Sequence, residues 1–213
     1  MNAIIVTGTD TDVGKTVFCA GLTRLLGGTY WKPVQAGLAG ETDTDTVRRL
    51  AELSEDRLLP EAWRLKMPAS PHWAAENEGV AIDPESLVLP ACGTPLIVEG
   101  SGGLLVPLTR STLLIDVIAR WGAPTVLCAR TRLGTLNHTL LSVEALRRRG
   151  IPLLGVAFIG DAHPDNERTI ASIGAVRILG RLPLLDPLTP AALASAFERA
   201  FSRDAYLSES APR

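Results

Sequence analysis

The chain has 213 residues, 46% of them hydrophobic and 21% charged, with a formal net charge of -2. That length suits one α/β domain around a single sizeable core, and two domains are not expected. The even charge balance leaves no basic excess for nucleic acid or an anionic membrane surface, so any charged partner must be met locally.

The apolar run at residues 3–6 reads as a strand and residues 17–26 as a helix, with Thr7-Gly-Thr-Asp-Thr-Asp-Val-Gly-Lys-Thr16 between them. Strand, glycine-bearing loop, Gly-Lys-Thr and helix in that order make a phosphate-binding loop. Backbone N–H groups and a helix N-terminus cradle polyphosphate oxygens, Lys15 reaches the outer phosphates, and Thr16 can ligate Mg²⁺. The usual pattern places its first glycine one residue later than Gly8, where this chain has Thr9, so the loop is a variant.

Residues 30–34 read as a second strand, with Pro33 confining it to an edge or an end, and residues 35–40 as a loop. Acidic and hydroxyl residues at 43–46 look like a helix start ahead of residues 47–53. Residues 58–84 hold Pro60, Pro68, Pro71 and Pro84 and read as an irregular excursion over the sheet edge. Regular alternation then returns. Strands are expected at 94–99, 124–129, 152–159 and 177–180, and helices at 113–121, 136–149, 164–173 and 190–202. Short apolar runs separated by helices imply a mainly parallel sheet with helices on both faces, a P-loop NTPase type of α/β fold. One domain is expected over residues 1–207, with 208–213 a disordered tail.

No basic segment followed by a cleavable apolar core opens the chain, and no apolar run approaches the roughly 20 residues a membrane span needs, so a cytoplasmic location is expected. Cys19, Cys92 and Cys128 lie far apart in apolar stretches, which suits buried reduced thiols rather than disulfides or zinc.

In an open parallel sheet the ligand sits at the carboxyl ends of the strands, which gathers residues 8–16, Lys32, Glu99 with the glycines after it, 130–137 and 159–161 on one edge. Glu99 either organises a metal beside the phosphates or caps the next turn; Gly102 and Gly103 favour the first, because they let backbone approach a ligand. Lys32 either meets an anion there or is a surface lysine. Residues 135–138 form either an anion pocket or a satisfied helix cap, and His72 is a weaker signal. Residues 147–149 read as a solvated basic helix terminus.

These residues resemble the dethiobiotin synthetases. The resemblance rests on residues 8–16, Lys32-Pro-Val34, Ser70-Pro-His72, Val98-Glu-Gly-Ser-Gly-Gly103, Leu133-Gly-Thr-Leu-Asn-His138 and Gly180-Arg-Leu-Pro183, in the family's order over most of the chain. The off-register phosphate loop looks like the family's own version. The resemblance implies ATP-dependent closure of a ureido ring on 7,8-diaminononanoate with CO₂, giving dethiobiotin, ADP and phosphate through an N-carbamate and a carbamic-phosphoric anhydride.

Carried over by position, the resemblance makes Lys15 and Lys32 catalytic and gives Mg²⁺ the ligands Thr16, Asp45 and Glu99, with Asp45 taken over Asp43 from the match of Thr44-Asp-Thr46. It assigns ATP to Asp12, Val13, Gly14, Lys15, Thr16 and Val17, with Glu99 and Gly102. The base would lie near Ile159, Gly160, Leu182 and Pro183. The diamine would meet Thr11, Lys32 and Ala36, its carboxylate resting at Gly134 and Asn137 of a partner subunit, which implies a homodimer.

Two departures stand out. Ala36 replaces the usual Ser or Thr, removing a hydroxyl contact to substrate, and Ile159 stands where many relatives have an Asn that reads adenine. An apolar residue there predicts weaker selection for ATP. The main rival is a ParA/MinD-like dimerising ATPase switch, which shares this fold but carries a lysine at the position of Asp10 and usually a basic or amphipathic surface element. A cobyrinate-type amide ligase would normally need an added glutamine-hydrolysing domain.

Overall fold

The computed structural model describes residues 3–207; the expected disordered tail at 208–213 lies outside the described residues. Strand β1, Ala3–Gly8, is buried at all six positions because parallel neighbours flank it on both sides, β6 (Leu96–Glu99) and β7 (Thr125–Arg130). That is why it reads as a continuous apolar run without alternation. Around it the seven-stranded sheet adds β2 (Thr29–Trp31), β4 (Leu58–Leu59), β8 (Leu153–Ile159) and β9 (Ile178–Leu182), in the order β4-β2-β6-β1-β7-β8-β9. Every pairing in it is parallel. The carboxyl ends of the strands therefore share one edge.

Period-two alternation divides the core into two layers. Ala3 and Ile5 pack with Val98, Leu127 and Phe158 on one face, under α4 (Leu114–Trp121), α5 (Thr135–Arg148) and α6 (Pro164–Gly174). Ile4 and Val6 pack with Ile97, Val126 and Ala157 on the other, under α1 (Lys15–Leu26), α2 (Asp43–Ala51), α7 (Pro190–Ala200) and α8 (Asp204–Leu207). On that face Phe18 meets Phe197 with ring centroids 5.2 Å apart. Gly21 permits this approach, since a Cβ there would lie 2.2 Å from the Phe197 ring.

The strand expected over 30–34 is divided at Pro33. Its first part is β2, inside the main sheet between β4 and β6. The second is β3 (Val34–Ala36), which leaves to pair with β5 (Trp63–Leu65) in a separate two-stranded parallel ribbon. Pro33 has no N–H to continue a ladder, but its carbonyl accepts from Trp63 N at 3.1 Å. The segment expected to be irregular thus contains β4, β5 and a short helix α3, Pro71–Asn77. Two-residue and three-residue strands leave too little periodicity to read, whereas Pro71 at the first helical position after Ser70 is a recognisable helix start. One thiol also departs from expectation: Cys19 and Cys128 are buried, but Cys92 is exposed in the segment before β6.

Candidate functional site

The loop between β1 and α1 wraps tightly over the strand end. A Cβ on Gly8 would lie 2.7 Å from the Val13 side chain and 3.0 Å from the Asp10 carbonyl, so glycine is required there. Asp12 (φ 54) and Gly14 (φ 92) take left-handed conformations that turn the chain into α1. No side chain caps that helix, which leaves first-turn N–H groups for an anion. Lys15 is buried and its Nζ donates to the Asp10 carbonyl at 2.9 Å. Burial lowers the Lys15 pKa; Glu99 opposes the shift and Lys32 adds to it. The Asp10 carboxylate is in turn held by Arg130 at 2.6 Å.

Across from the loop, the ends of β2 and β6 and the starts of α1 and α2 bring five side chains together. Lys32 Nζ lies 2.6 Å from Asp43 Oδ2 and 3.0 Å from Glu99 Oε1. The Thr16 hydroxyl lies 3.0 Å from Asp43 Oδ1 and 2.9 Å from Glu99 Oε1. The Tyr30 hydroxyl donates to Glu99 Oε2 at 2.8 Å. Burial pulls the Lys32 pKa down, but Glu99 and Asp43 outweigh it and the ammonium is held above its ordinary range. Burial would raise the Asp43 carboxyl, but Lys32 and Thr16 hold it below the usual carboxylate range. Lys32 is buried rather than a surface lysine, and Glu99 is buried beside it with both oxygens turned to Lys32, Thr16 and Tyr30.

A single hydroxyl hydrogen on Thr16 cannot serve two carboxylates at once. Oxygens of Thr16, Asp43 and Glu99 thus crowd together with one hydroxyl hydrogen and the Lys32 ammonium between them, a set that suits a hard divalent cation sharing its remaining positions with phosphate and water. Among the described residues no group of three or more His, Cys, Asp or Glu converges, so a cation would depend on ligand oxygens as well. Asp45 does not belong to this set. It closes a capping box with Thr42, whose N–H and hydroxyl both donate to Asp45 Oδ2, and its other oxygen takes Arg48 at 2.8 Å. Asp43, at the first position of α2, is the acid that faces Thr16.

Two connected cavities open here. One, of about 270 Å³, lies over Gly14, Lys15, Thr16, Val17 and Glu99. The other, of about 530 Å³, shares Thr11, Asp12, Lys32, Asp43 and Gly102 with the first and extends past Ala36 to Pro68, Ser70 and Pro71. Val13 lines neither cavity; it is 1% exposed, and its side chain packs in the core. Ile159 is 8% exposed and packs beneath the loop, within 2.9 Å of where a Gly14 Cβ would stand. Gly160 N donates to the Leu182 carbonyl at 3.0 Å and its own carbonyl accepts from Arg181 at 2.9 Å, with Pro183 following half-buried. Gly134 and Asn137 are exposed at the start of α5 and line neither cavity. Near them His138, Leu141, Leu105 and Thr9 border a shallower groove of about 300 Å³.

Sequence reasoning passed over Tyr30, and it gathered Arg130 on the ligand edge without its pairing to Asp10. Tyr30 was within reach, since residues two apart on a strand share a face and Lys32 follows it by two. Arg130 carries no such signal, because only the fold brings it to Asp10.

A parallel sheet with its phosphate loop at the carboxyl edge, and two lysines and two acids closing on that loop, defines a phosphate-loop nucleotide-binding protein. A family described as an AAA domain matches residues 2–192. Relatives named ATP-dependent dethiobiotin synthetase include one from Rhizorhabdus wittichii, 62% identical over 96% of this chain and 98% of its own. Another from Rhodopseudomonas palustris strain BisB5 is 64% identical, covering 98% of each chain. A third, from Brucella ovis, is 59% identical over 95% of this chain and 96% of its own. The chain belongs to the ATP-dependent dethiobiotin synthetase family. In overall fold it is similar to the solved MinC:MinD cell division protein complex of Aquifex aeolicus (TM-score 0.54, 13% identity, 93% of this chain and 95% of that one). It is equally similar to a ParA family ATPase of Chlorobium tepidum TLS (TM-score 0.54, 11% identity, 93% and 91%). At such identities the likeness concerns fold alone.

Proposed function

We propose that this protein closes a ureido ring on 7,8-diaminononanoate with CO₂ at the expense of ATP, releasing dethiobiotin, ADP and phosphate. One observation carries the reading: Lys32, buried between Asp43 and Glu99, stands where the phosphate cavity opens into the larger, partly apolar one. A cation at that junction can meet a phosphoryl group from one side and a carboxylated amine from the other. The names of the relatives point to the same product.

One amine adds to CO₂ and loses a proton, leaving an N-carbamate in the larger cavity. A carbamate oxygen attacks the γ-phosphorus, the bond to the bridging oxygen breaks, and ADP leaves. The second amine attacks the carbamoyl carbon, the C–O bond to phosphate breaks, phosphate departs with its oxygen and takes up the proton the amine loses, and the ring closes. Such chemistry needs positioning and charge neutralisation rather than a protein nucleophile. Lys15, with its pKa lowered by burial, exchanges the Asp10 carbonyl for a phosphate oxygen. Lys32 neutralises carbamate and transferring phosphoryl together, and Tyr30 fixes the Glu99 carboxylate. Mg²⁺ fits the oxygens of Thr16, Asp43 and Glu99 and would supply Lewis-acid neutralisation of the phosphates. Asp12, Gly14 and Gly102 bring backbone to ATP, and Thr11 and Ala36 border the diamine.

Gly134 and Asn137, exposed and outside the lining of the diamine cavity of their own chain, suit a homodimer in which they receive the substrate carboxylate of the partner site. A location in the cytoplasm agrees with the absence, among the described residues, of any helix long and apolar enough to cross a membrane. The test is incubation with the diamine, labelled bicarbonate, Mg²⁺ and ATP. Labelled dethiobiotin with one phosphate per ring is expected; ATP hydrolysis indifferent to the diamine, with no labelled ring, contradicts the proposal.

A further inference from the structure

The Gln35 side chain on β3 is only 6% exposed and borders the larger cavity beside Lys32 and Asp43. Its Nε2 donates to two carbonyls, those of Ala36 and Gly37, each at 3.2 Å. Because both neighbours are acceptors, the amide cannot be turned round, and the unpaired end must be the oxygen. That oxygen, Oε1, is buried with no hydrogen-bond partner. Buried polar atoms are normally satisfied, and an exception bordering a binding cavity asks for a ligand donor. Nearby, the Ser101 hydroxyl spends its proton on the Val34 carbonyl at 2.5 Å, which leaves only acceptor capacity toward the cavity. Asp43 adds a carboxylate. Apart from the Lys32 ammonium, which is taken up by Asp43 and Glu99, the polar groups of Gln35 and Ser101 offer acceptors around apolar Ala36 and Val106, which is the complement of an amine on an alkyl chain.

We propose that Gln35 Oε1 accepts an N–H from one amino group of the diamine and so selects a diamine over a monoamine. The inference rests on the reaction proposed above and adds a specificity residue to it. Gln35 sits next to Ala36, whose methyl side chain has no acceptor, and provides one for the same cavity.

The test compares binding of 7,8-diaminononanoate, 7-aminononanoate and 8-aminononanoate to the full-length wild type and to Gln35→Met, a variant of similar volume without the amide. The diamine and one monoamine should bind at least tenfold more weakly to the variant. The monoamine lacking the contacted amine should bind both proteins alike, and ATP affinity should not change. Equal losses for all three ligands would mean a merely structural role and overturn the inference. Wild type that binds none of them would overturn the proposed reaction, and this inference with it. A second measurement needs no variant. Gln35 is the only glutamine in the chain, so protein labelled with ¹³C at glutamine Cδ gives one resonance to follow. It should move downfield on adding the diamine and stay in place with ATP alone; a resonance indifferent to the diamine contradicts the contact.

Discussion

Lys32 Nζ lies 3.0 Å from Glu99 Oε1, and the two side chains are 5% and 1% exposed. A charge pair so deeply buried is costly to break, because the survivor keeps its charge without its partner, a loss of about 3–5 kcal/mol in comparable cases. Lys32→Ala should therefore lower both stability and turnover, the latter by about 10³-fold or more. Lys15→Ala, whose ammonium is held only by the Asp10 carbonyl, should lose similar activity while keeping its unfolding midpoint. Steady-state rates with thermal unfolding of both variants check this; near-normal turnover in either removes that lysine from the reaction.

The two acids at the start of α2 should separate cleanly. Asp43→Asn removes a carboxylate oxygen beside Thr16 and should cut turnover about a hundredfold while raising the Mg²⁺ concentration needed for half activity. Asp45→Asn breaks the capping box and should cost about 1 kcal/mol of stability with Mg²⁺ dependence unchanged. Magnesium titrations of both variants decide between them, and the opposite assignment would restore Asp45 as the ligand.

Stability should follow pH through the same cluster. The Asp43 carboxyl is held low in the folded protein by Lys32, against burial, so it binds its proton more readily when unfolded. Its contribution is present above the ordinary carboxylate range and is lost as pH falls below about 4 toward the depressed folded value. Lys32 is held high by Glu99 and Asp43, against burial, so its contribution is intact below about pH 10 and lost as pH rises further. Urea unfolding across pH should show the gap between wild type and Asp43→Asn closing on the acid side. A gap that stays constant down to pH 2 would contradict the linkage.

Nucleotide choice should be loose. Ile159 is buried under the phosphate loop, and the backbone of Gly160 is already paired with Leu182 and Arg181, so neither presents an amide to read adenine. Binding constants for ATP, GTP and CTP should differ by less than a hundredfold; a larger preference for ATP would show that another group reads the base.

The sheet and the phosphate loop with Lys15 were legible because each writes a local signal: apolar runs of strand length, and Gly-Lys-Thr at a strand-to-helix corner; Lys32 at a strand end left two readings open. The ribbon of β3 and β5 was not legible, since three-residue strands have no periodicity and only Pro33 hinted that Tyr30-Trp31 and Val34 part company. Asp43 and Asp45 both look like helix caps in sequence. What separates them is the direction each faces from the first turn of α2, which tertiary packing against Thr16 and Lys32 decides.

During turnover Lys32 should leave its two carboxylates to neutralise a terminal phosphate beside the diamine. A crystal structure with a non-hydrolysable ATP analogue, Mg²⁺ and 7,8-diaminononanoate tests it most directly. Lys32 Nζ should lie about 3 Å from a γ-phosphate oxygen, with Asp43 and Glu99 on the metal and an amine of the substrate next to them. Lys32 still clamped between Asp43 and Glu99, with the terminal phosphate elsewhere, would contradict it.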